Sequence, residues 1–184
     1  MYKRQTSLSD FFRTTLSKGH DYITVKEERT HIESYLEIQQ FRYQDILDYE
    51  IQMDEEIYGY IIPKLTLQPL VENALYHGIK NKRGKGKILI TGKKQGDKII
   101  FQVIDNGKGM TEEELNSLRK KMAGTDTGDE AKGFGVSNVN QRIKYYYGEE
   151  YGVFFESKEN EGTNATIIIC LLYTSPSPRD YAAS

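Results

Sequence analysis

The chain has 184 residues, 38% hydrophobic and 28% charged, with Lys+Arg 25 against Asp+Glu 27 and a net charge of -2. That composition suits one globular domain with an appended element, and it excludes a disordered chain and a basic nucleic-acid binder. The single cysteine, Cys170, excludes an intrachain disulfide and lies in the apolar run "TIIICLLY", where a buried structural thiol is expected.

That run is too short to cross a membrane, and Met1–Asp10 is too polar for a signal peptide. The chain as given is expected to be soluble and in a reducing compartment. Both ends read as foreign. "MYKRQ", residues 1–5, and the Pro/Ser-rich "YTSPSPRDYAAS", residues 173–184, are expected to be non-native and carry no functional argument.

"KEERTHIESYLEIQQFRYQDIL", Lys26 to Leu47, contains neither Gly nor Pro. Ile32, Leu36, Gln39, Tyr43 and Ile46 recur at three- and four-residue steps, which predicts a long amphipathic helix packed on another helix. "YEIQMDEEI" reads as a strand, and a second helix is expected from Pro63 to Lys80. "GKILITGKKQGDKIIFQVIDNG" predicts a hairpin with strands at 86–94 and 98–105. "TEEELNSLRKK" opens with Thr111 and Glu114, a capping box, and predicts a short helix. "MAGTDTGDEAKG" reads as a mobile loop. "SNVNQRIKYYYG" is a helix stopped by Gly148, and "YGVFFESK" and "GTNATIIICLLY" close the chain as strands. Helices alternating with antiparallel strands predict an α/β two-layer sandwich with a mixed sheet.

Chemistry concentrates in a few stretches. In "IDNGKGM" a strand ends at Asp105, and Gly107 and Gly109 follow at once. Glycines there permit a tight turn and close approach of a flat ligand, and a carboxylate can accept from an exocyclic amine. An ordinary Asp-Asn-Gly turn explains the same residues. In "KGFGVSN" Gly133 and Gly135 stand just before a helix whose free N–H groups suit a phosphate. The stretch is not a dinucleotide fingerprint, because a polar loop rather than a strand leads into it and Asn138 replaces the third glycine.

In "PLVENALYHG" the stripe Leu67, Leu70, Val71, Ala74 and Leu75 is core. Asn73, Tyr76, His77 and Lys80 fall on the other side at helical spacing. An Asn carbonyl suits Mg2+, which takes few protein ligands, and the adjacent Glu72 could orient a water or take a proton. A solvated polar face fits the same pattern.

Taken together, "PLVENALYHG", "DNGKGM", a Gly/Thr-rich segment, "GFGVSNVNQRI" and "EGTNATI" resemble the ATP-binding domain of the GHKL superfamily, over about Tyr49 to Leu172. "YLEIQQFRYQDIL", "IPKLTLQPLVENALYHGI" and "NVNQRIKYYYGEEYG" resemble more narrowly the sensor histidine kinases of the LytS/YesM type. The resemblance implies the Bergerat fold, with residues 6–48 a partial dimerisation region and 49–172 the ATP-binding catalytic domain. It implies ATP and Mg2+ as cofactors, with Asn73 on the metal, Asp105 on the adenine amino group and Gly107 and Gly109 shaping the adenine pocket. Gly133, Gly135 and Val136 would hold phosphates, Met122 to Lys132 would form a lid, Thr163 would support adenine through water, and His77 would line the site. Tyr76 stands where many kinases of the wider class have Lys, so Lys80 is the expected substitute at the phosphates.

The resemblance further implies transfer of the ATP γ-phosphate to a histidine and then to a response regulator. The acceptor is expected upstream, because none of His20, His31 and His77 has the family's Pro-His-Phe setting. Glu72 is the candidate base. The full-length protein is expected to be a homodimer at the plasma membrane with this domain in the cytoplasm, and no nucleic acid is expected. The alternatives are a GHKL-type ATP hydrolase and a non-catalytic ATP-binding module. Hydrolases of the superfamily need a Glu four residues before the metal-binding Asn, and that position is Pro69.

Overall fold

The computed structural model describes residues 22–43, 46–80, 82, 84–123 and 134–171. The short strand β1 (Tyr22–Thr24) leads directly into α1 (Val25–Arg42). Thr24 caps that helix reciprocally with Glu27, whose carboxylate accepts the Thr24 N–H at 2.7 Å. Arg42 ends it, five residues before Leu47, because Leu47 instead opens the strand β2 (Leu47–Met53). The helix expected to reach Leu47 is therefore shorter, and its last apolar positions serve the sheet. Ile32 and Leu36 are fully buried, as their spacing predicts.

Strand β3 (Ile61–Pro63) pairs antiparallel with β1. The second helix does not begin at Pro63. Residues 64–67 form a loop in which Leu65 takes a left-handed conformation, φ 59°. Helix α2 starts at Gln68 with Pro69 in its first turn, where the missing N–H costs nothing. It runs to Asn73 and continues as one π-helical stretch, Ala74–Ile79, in which Lys80 N–H donates to Leu75 O at 2.9 Å. The wider turn changes which side chains share a face, and such turns often mark functional sites.

The remaining elements follow expectation: β4 (Gly86–Gln95), β5 (Lys98–Asp105), α3 (Glu112–Met122), α4 (Phe134–Tyr147), β6 (Gly152–Lys158) and β7 (Gly162–Cys170). Thr111 and Glu114 form the predicted capping box of α3. Gly148 follows α4 at φ +110°. The sheet order is β2-β4-β5-β7-β6, with β2 parallel to β4 and the other pairs antiparallel. It is the mixed sheet of a two-layer α/β sandwich.

One face of β5 carries Ile99, Phe101, Val103 and Asp105, all buried, while Ile100, Gln102 and Ile104 alternate to the other face. Ile169, Ile167, Ala165 and Thr163 of β7 lie opposite that first set in register. Burying one such Ile or Phe contributes about 1.5–3 kcal/mol, so this face is held rigidly. Rigidity there matters because the row ends in polar residues: Asp105 pairs across the sheet with Ile88 on one side and Thr163 on the other.

Candidate functional site

Where the apolar face of the sheet meets α2, α3 and the start of α4, it leaves a cavity of about 350 Å3. Asn73, His77, Asp105, Gly109 and Thr163 line it, so the helix, the strand end and the last strand converge as expected. Leu70, Val103 and Ala165 supply an apolar wall.

Asp105 is the deepest polar group, only 5% exposed. Burial pushes its carboxyl up to about 6, although the Gly107 and Thr163 N–H groups and the Lys82 charge all favour ionisation. Gly107 N–H donates to Asp105 Oδ1 at 2.7 Å. Gly107 does not line the cavity. It closes the floor beneath it, because an added Cβ would run into the Gly78 backbone and the Asp105 carboxylate. Gly109 does line it and sits at φ +64°, with the Lys158 carbonyl where a side chain would start. Asn106, between Asp105 and Gly107, ties the turn to β4 by accepting Lys87 N–H at 2.7 Å.

Thr163 stands in a hydroxyl network. Ser157 Oγ accepts Met110 N–H at 2.9 Å and donates to Gly162 O at 2.8 Å, and it lies 2.9 Å from Thr163 Oγ1. With its one proton on Gly162, Ser157 accepts from Thr163, which leaves the Thr163 oxygen as an acceptor beside Asp105. A buried carboxylate with an adjacent hydroxyl acceptor matches an exocyclic amine that donates from a flat ring.

Further polar groups belong to the lining: Asn73, Ser137, Lys108 and Lys121. Lys108 lies 3.7 Å from Glu114, whereas Lys121 makes no ion pair among the described residues. Ser137, one turn into α4, reaches the cavity, while Val136 is buried and Gly135 packs toward Pro69, 3.3 Å from a virtual Cβ. Gly133 and the lid beyond Ala123 fall outside the described residues.

Besides Gly107, Gly135 and Val136, two more expected site residues stay outside the lining. Glu72 does not line the cavity; its carboxylate accepts from Gln68 Nε2 at 2.8 Å on the side toward α1. Lys80 does not line it either. Its ammonium stands 4.9 Å from the Tyr76 ring centroid and 5.2 Å from that of Tyr43. For Lys80 the π turn is the physical reason, whereas Glu72 precedes that turn and lies about 100° around the helix from Asn73. Equal helical spacing put Asn73, Tyr76, His77 and Lys80 on one face, but the wider turn brings His77 and Gly78 to the cavity and leaves Tyr76 and Lys80 beside α1. Gly78, Ser157, Lys108, Lys121 and Ser137 escaped the sequence reading. Gly78 falls inside the helix predicted to reach Lys80, where nothing in the sequence marks it as a site residue.

Residues 63–173 match the family described as histidine kinase-, DNA gyrase B-, and HSP90-like ATPase. The chain belongs to this family. Residues 2–47 match a second family, histidine kinase. Among curated relatives the chain is similar to the sensor histidine kinase YesM of Bacillus subtilis, 34% identical over 91% of this chain and 27% of that protein. It is similar to the sensor protein LytS of Staphylococcus saprophyticus, 31% identical over 88% of this chain and 27% of that protein. It is also similar to YwpD of Bacillus subtilis, 36% identical over 84% of this chain and 52% of that protein. The chain thus spans about half of YwpD and about a quarter of the two sensor proteins. Among solved structures, the catalytic domain of histidine kinase ThkA superposes with a TM-score of 0.61 at 19% identity, covering 85% of this chain and 97% of that one. The histidine kinase domain of an Erythrobacter litoralis blue-light activated kinase gives 0.58 at 14%, covering 93% and 74%. These two similarities show the fold. Membership of an ATPase family implies ATP binding. No helix among the described residues is long and apolar enough to cross a membrane.

Proposed function

We propose that this chain is the ATP-binding catalytic domain, with part of the dimerisation region, of a sensor histidine kinase of the LytS/YesM type. The observation that carries the reading is Asp105, a buried carboxylate lining a cavity that Asn73, Lys108 and Lys121 also line. Ionised Asp105 accepts the adenine amino group, Thr163 accepts beside it, and the backbone of Gly78 and Gly109 leaves room for the ring.

No cluster of three His, Cys, Asp or Glu side chains suited to a metal occurs among the described residues. That fits Mg2+ held by the Asn73 amide oxygen together with phosphates and water rather than by a protein cage. The metal supplies charge neutralisation of the triphosphate. Lys121, and Lys108 beyond its contact with Glu114, add fixed positive charge to the cavity lining. Lys80 is not needed there.

In the reaction, the bond between the γ-phosphorus and its bridging oxygen breaks, ADP leaves, and a phosphorus–nitrogen bond forms to an imidazole whose proton passes to a base. The acceptor is a histidine outside the described residues of this chain. His31 is 1% exposed and cannot present itself to a nucleotide. His77 lines the nucleotide cavity as a contact residue. Glu72 faces α1, so the base belongs beside the acceptor. The phosphoryl group then passes to a response regulator. The intact protein is a membrane-anchored homodimer with this domain in the cytoplasm, residues 6–48 belong to the dimerisation region, and no nucleic acid takes part. Residues 1–5 and 173–184 lie outside the functional unit.

The test is calorimetric titration with ATP, with and without Mg2+, followed by addition of a dimeric helical peptide bearing the acceptor histidine. Saturable ATP binding that Asp105→Ala removes, a Mg2+-dependent gain that Asn73→Ala removes, and labelling of the peptide from γ-labelled ATP are expected. ATP binding with no label on the peptide would favour a binding module, and release of free phosphate without the peptide would favour a hydrolase.

A further inference from the structure

The face of α2 opposite the cavity is polar, and its residues meet α1 one after another. His31 Nε2 lies 2.5 Å from Gln68 Oε1, and Gln68 Nε2 donates to Glu72 Oε1 at 2.8 Å. One turn on, Tyr35 faces Tyr76 and the Glu72 charge, which together with burial keep its hydroxyl protonated. At the end of α1, the Tyr43 ring lies under the Lys80 ammonium. The numbers rise together on both helices, so α1 and α2 run side by side in the same direction.

The polarity of this ladder is determined. Gln68 turns its amide nitrogen to the Glu72 carboxylate and its oxygen to His31. His31 must then carry its proton on Nε2. Burial holds the imidazole below its usual range, so it is the neutral Nε2–H tautomer that donates.

A second attachment lies at the start of α2. Leu67, the residue before the helix, has no capping side chain of its own. Glu28 of α1 takes that place, accepting Leu67 N–H at 2.7 Å and Leu65 N–H at 3.1 Å. Arg142 of α4 donates to Leu65 O at 3.3 Å. Leu65 is the residue held at φ 59°, a conformation that costs energy for any side chain and persists only when neighbours enforce it. Thus α1 grips the helix that carries Asn73 at its beginning and along its length, and through Leu65 it touches the helix that carries Ser137.

These two helices lie in different family segments. Helix α1 falls within the residues matched to the histidine kinase family and α2 within those matched to the ATPase family. We infer that α1 is a positioning element for the nucleotide site, and that Gln68, linking His31 to Glu72, is the positioning residue through which a shift of α1 reaches Asn73. Glu72 then has a role that its place beside Asn73 concealed: it anchors the metal-binding helix to α1. The inference rests on the nucleotide reading of the cavity.

Thermodynamic reciprocity makes this testable without knowing the signal. Amide hydrogen exchange is measured on the whole chain with and without Mg-ATP, for the wild type, Gln68→Met and His31→Leu. In the wild type, Mg-ATP is expected to slow exchange along residues 25–42 about fivefold or more, the lower end of ordinary coupling between sites, as well as at the cavity walls. In either variant the walls stay protected while the effect on 25–42 disappears. A contact that merely adds stability would raise exchange equally with and without nucleotide and keep the ratio. Wild-type protection confined to the cavity walls overturns the inference without needing any variant. Absence of protection everywhere removes the nucleotide reading and the inference with it.

Discussion

The carboxylate of Asp105 lies against the backbone of Gly78: a Cβ at residue 78 would stand 2.5 Å from Asp105 Oδ1. The contact exists because the π turn of α2 brings a residue without a side chain to the end of β5. Gly78→Ala is therefore expected to force the carboxylate or the helix aside. Overpacking of this kind costs about 1–3 kcal/mol, and displacement of the acceptor weakens adenosine binding about tenfold. Thermal unfolding and adenosine titration check the two effects separately. Unchanged adenosine affinity in a folded Gly78→Ala protein would show that the carboxylate does not contact the base.

Asp105 also sets a pH dependence. Burial raises its carboxyl to about 6 in the free protein, above the ordinary 3.8. The folded state therefore favours the protonated form: the stability this gives is complete below pH 3.8 and lost as pH rises through about 6. Ligand binding has the opposite sign, because an amine donor needs the ionised carboxylate. Adenosine, which has no titrating phosphate, should bind at a plateau above pH 7 and weaken about tenfold per unit well below 6. Asp105→Asn should flatten the profile at low affinity. A wild-type affinity independent of pH from 5 to 8 would sink the assignment.

Glu28 is the second buried carboxylate, fully inaccessible and raised to about 6 from 4.5 by desolvation, with the Leu67 and Leu65 N–H groups and Arg142 opposing. Its contribution is complete below pH 4.5 and lost as pH rises through about 6. The swing is on the order of 2 kcal/mol. His31, held low by burial, acts oppositely, its contribution falling away on acidification. The two are separated by comparing wild type with Glu28→Gln in urea melts from pH 4 to 8. The difference between the curves should change sharply between 4.5 and 6 and be flat above 7. A flat difference throughout would mean that Glu28 remains ionised in its α1–loop contact.

How much of this was legible in the sequence depends on the range over which each feature is set. The capping box at Thr111, the alternation along β5 and the stop at Gly148 are local, and all were readable. Strand end, glycine and helical spacing single out Asn73, His77, Asp105 and Gly109, while Thr163 and the grouping of all five come from the family resemblance; the five line one cavity. Lys80 is grouped with Asn73 only by ideal helical spacing, which a π turn breaks without any signature in residue type, and Glu72 is a candidate only through its place beside Asn73. Helix α1 was read past Arg42 because Tyr43 and Ile46 continue its period, while β2 wins that stretch through pairing with a strand that comes 39 residues later, Leu47 against Gly86. The α2 cap could not be read locally at all, since Glu28 lies 39 residues from Leu67. Ser157 and Lys121 carry no motif and become site residues only through the sheet and α3.

The lysines give the most direct contrast between periodicity and geometry. Helical spacing places Lys80 with Asn73, whereas the structure stacks it on Tyr43 and Tyr76 and puts Lys121 in the cavity wall. Lys121 sits in the last turn of α3, where the helix dipole favours a cation, so its presence alone does not require a ligand. The decisive quantity is the affinity ratio of ATP to adenosine, because only the phosphates answer to a cation. Lys121→Gln is expected to lower that ratio about tenfold with adenosine affinity unchanged, the worth of one charge-assisted contact. Lys80→Gln should leave the ratio within about twofold, because removing a rim charge away from the phosphates costs little. The reverse pattern would mean that Lys80 leaves the two rings on nucleotide binding and that the spacing argument identified the phosphate contact.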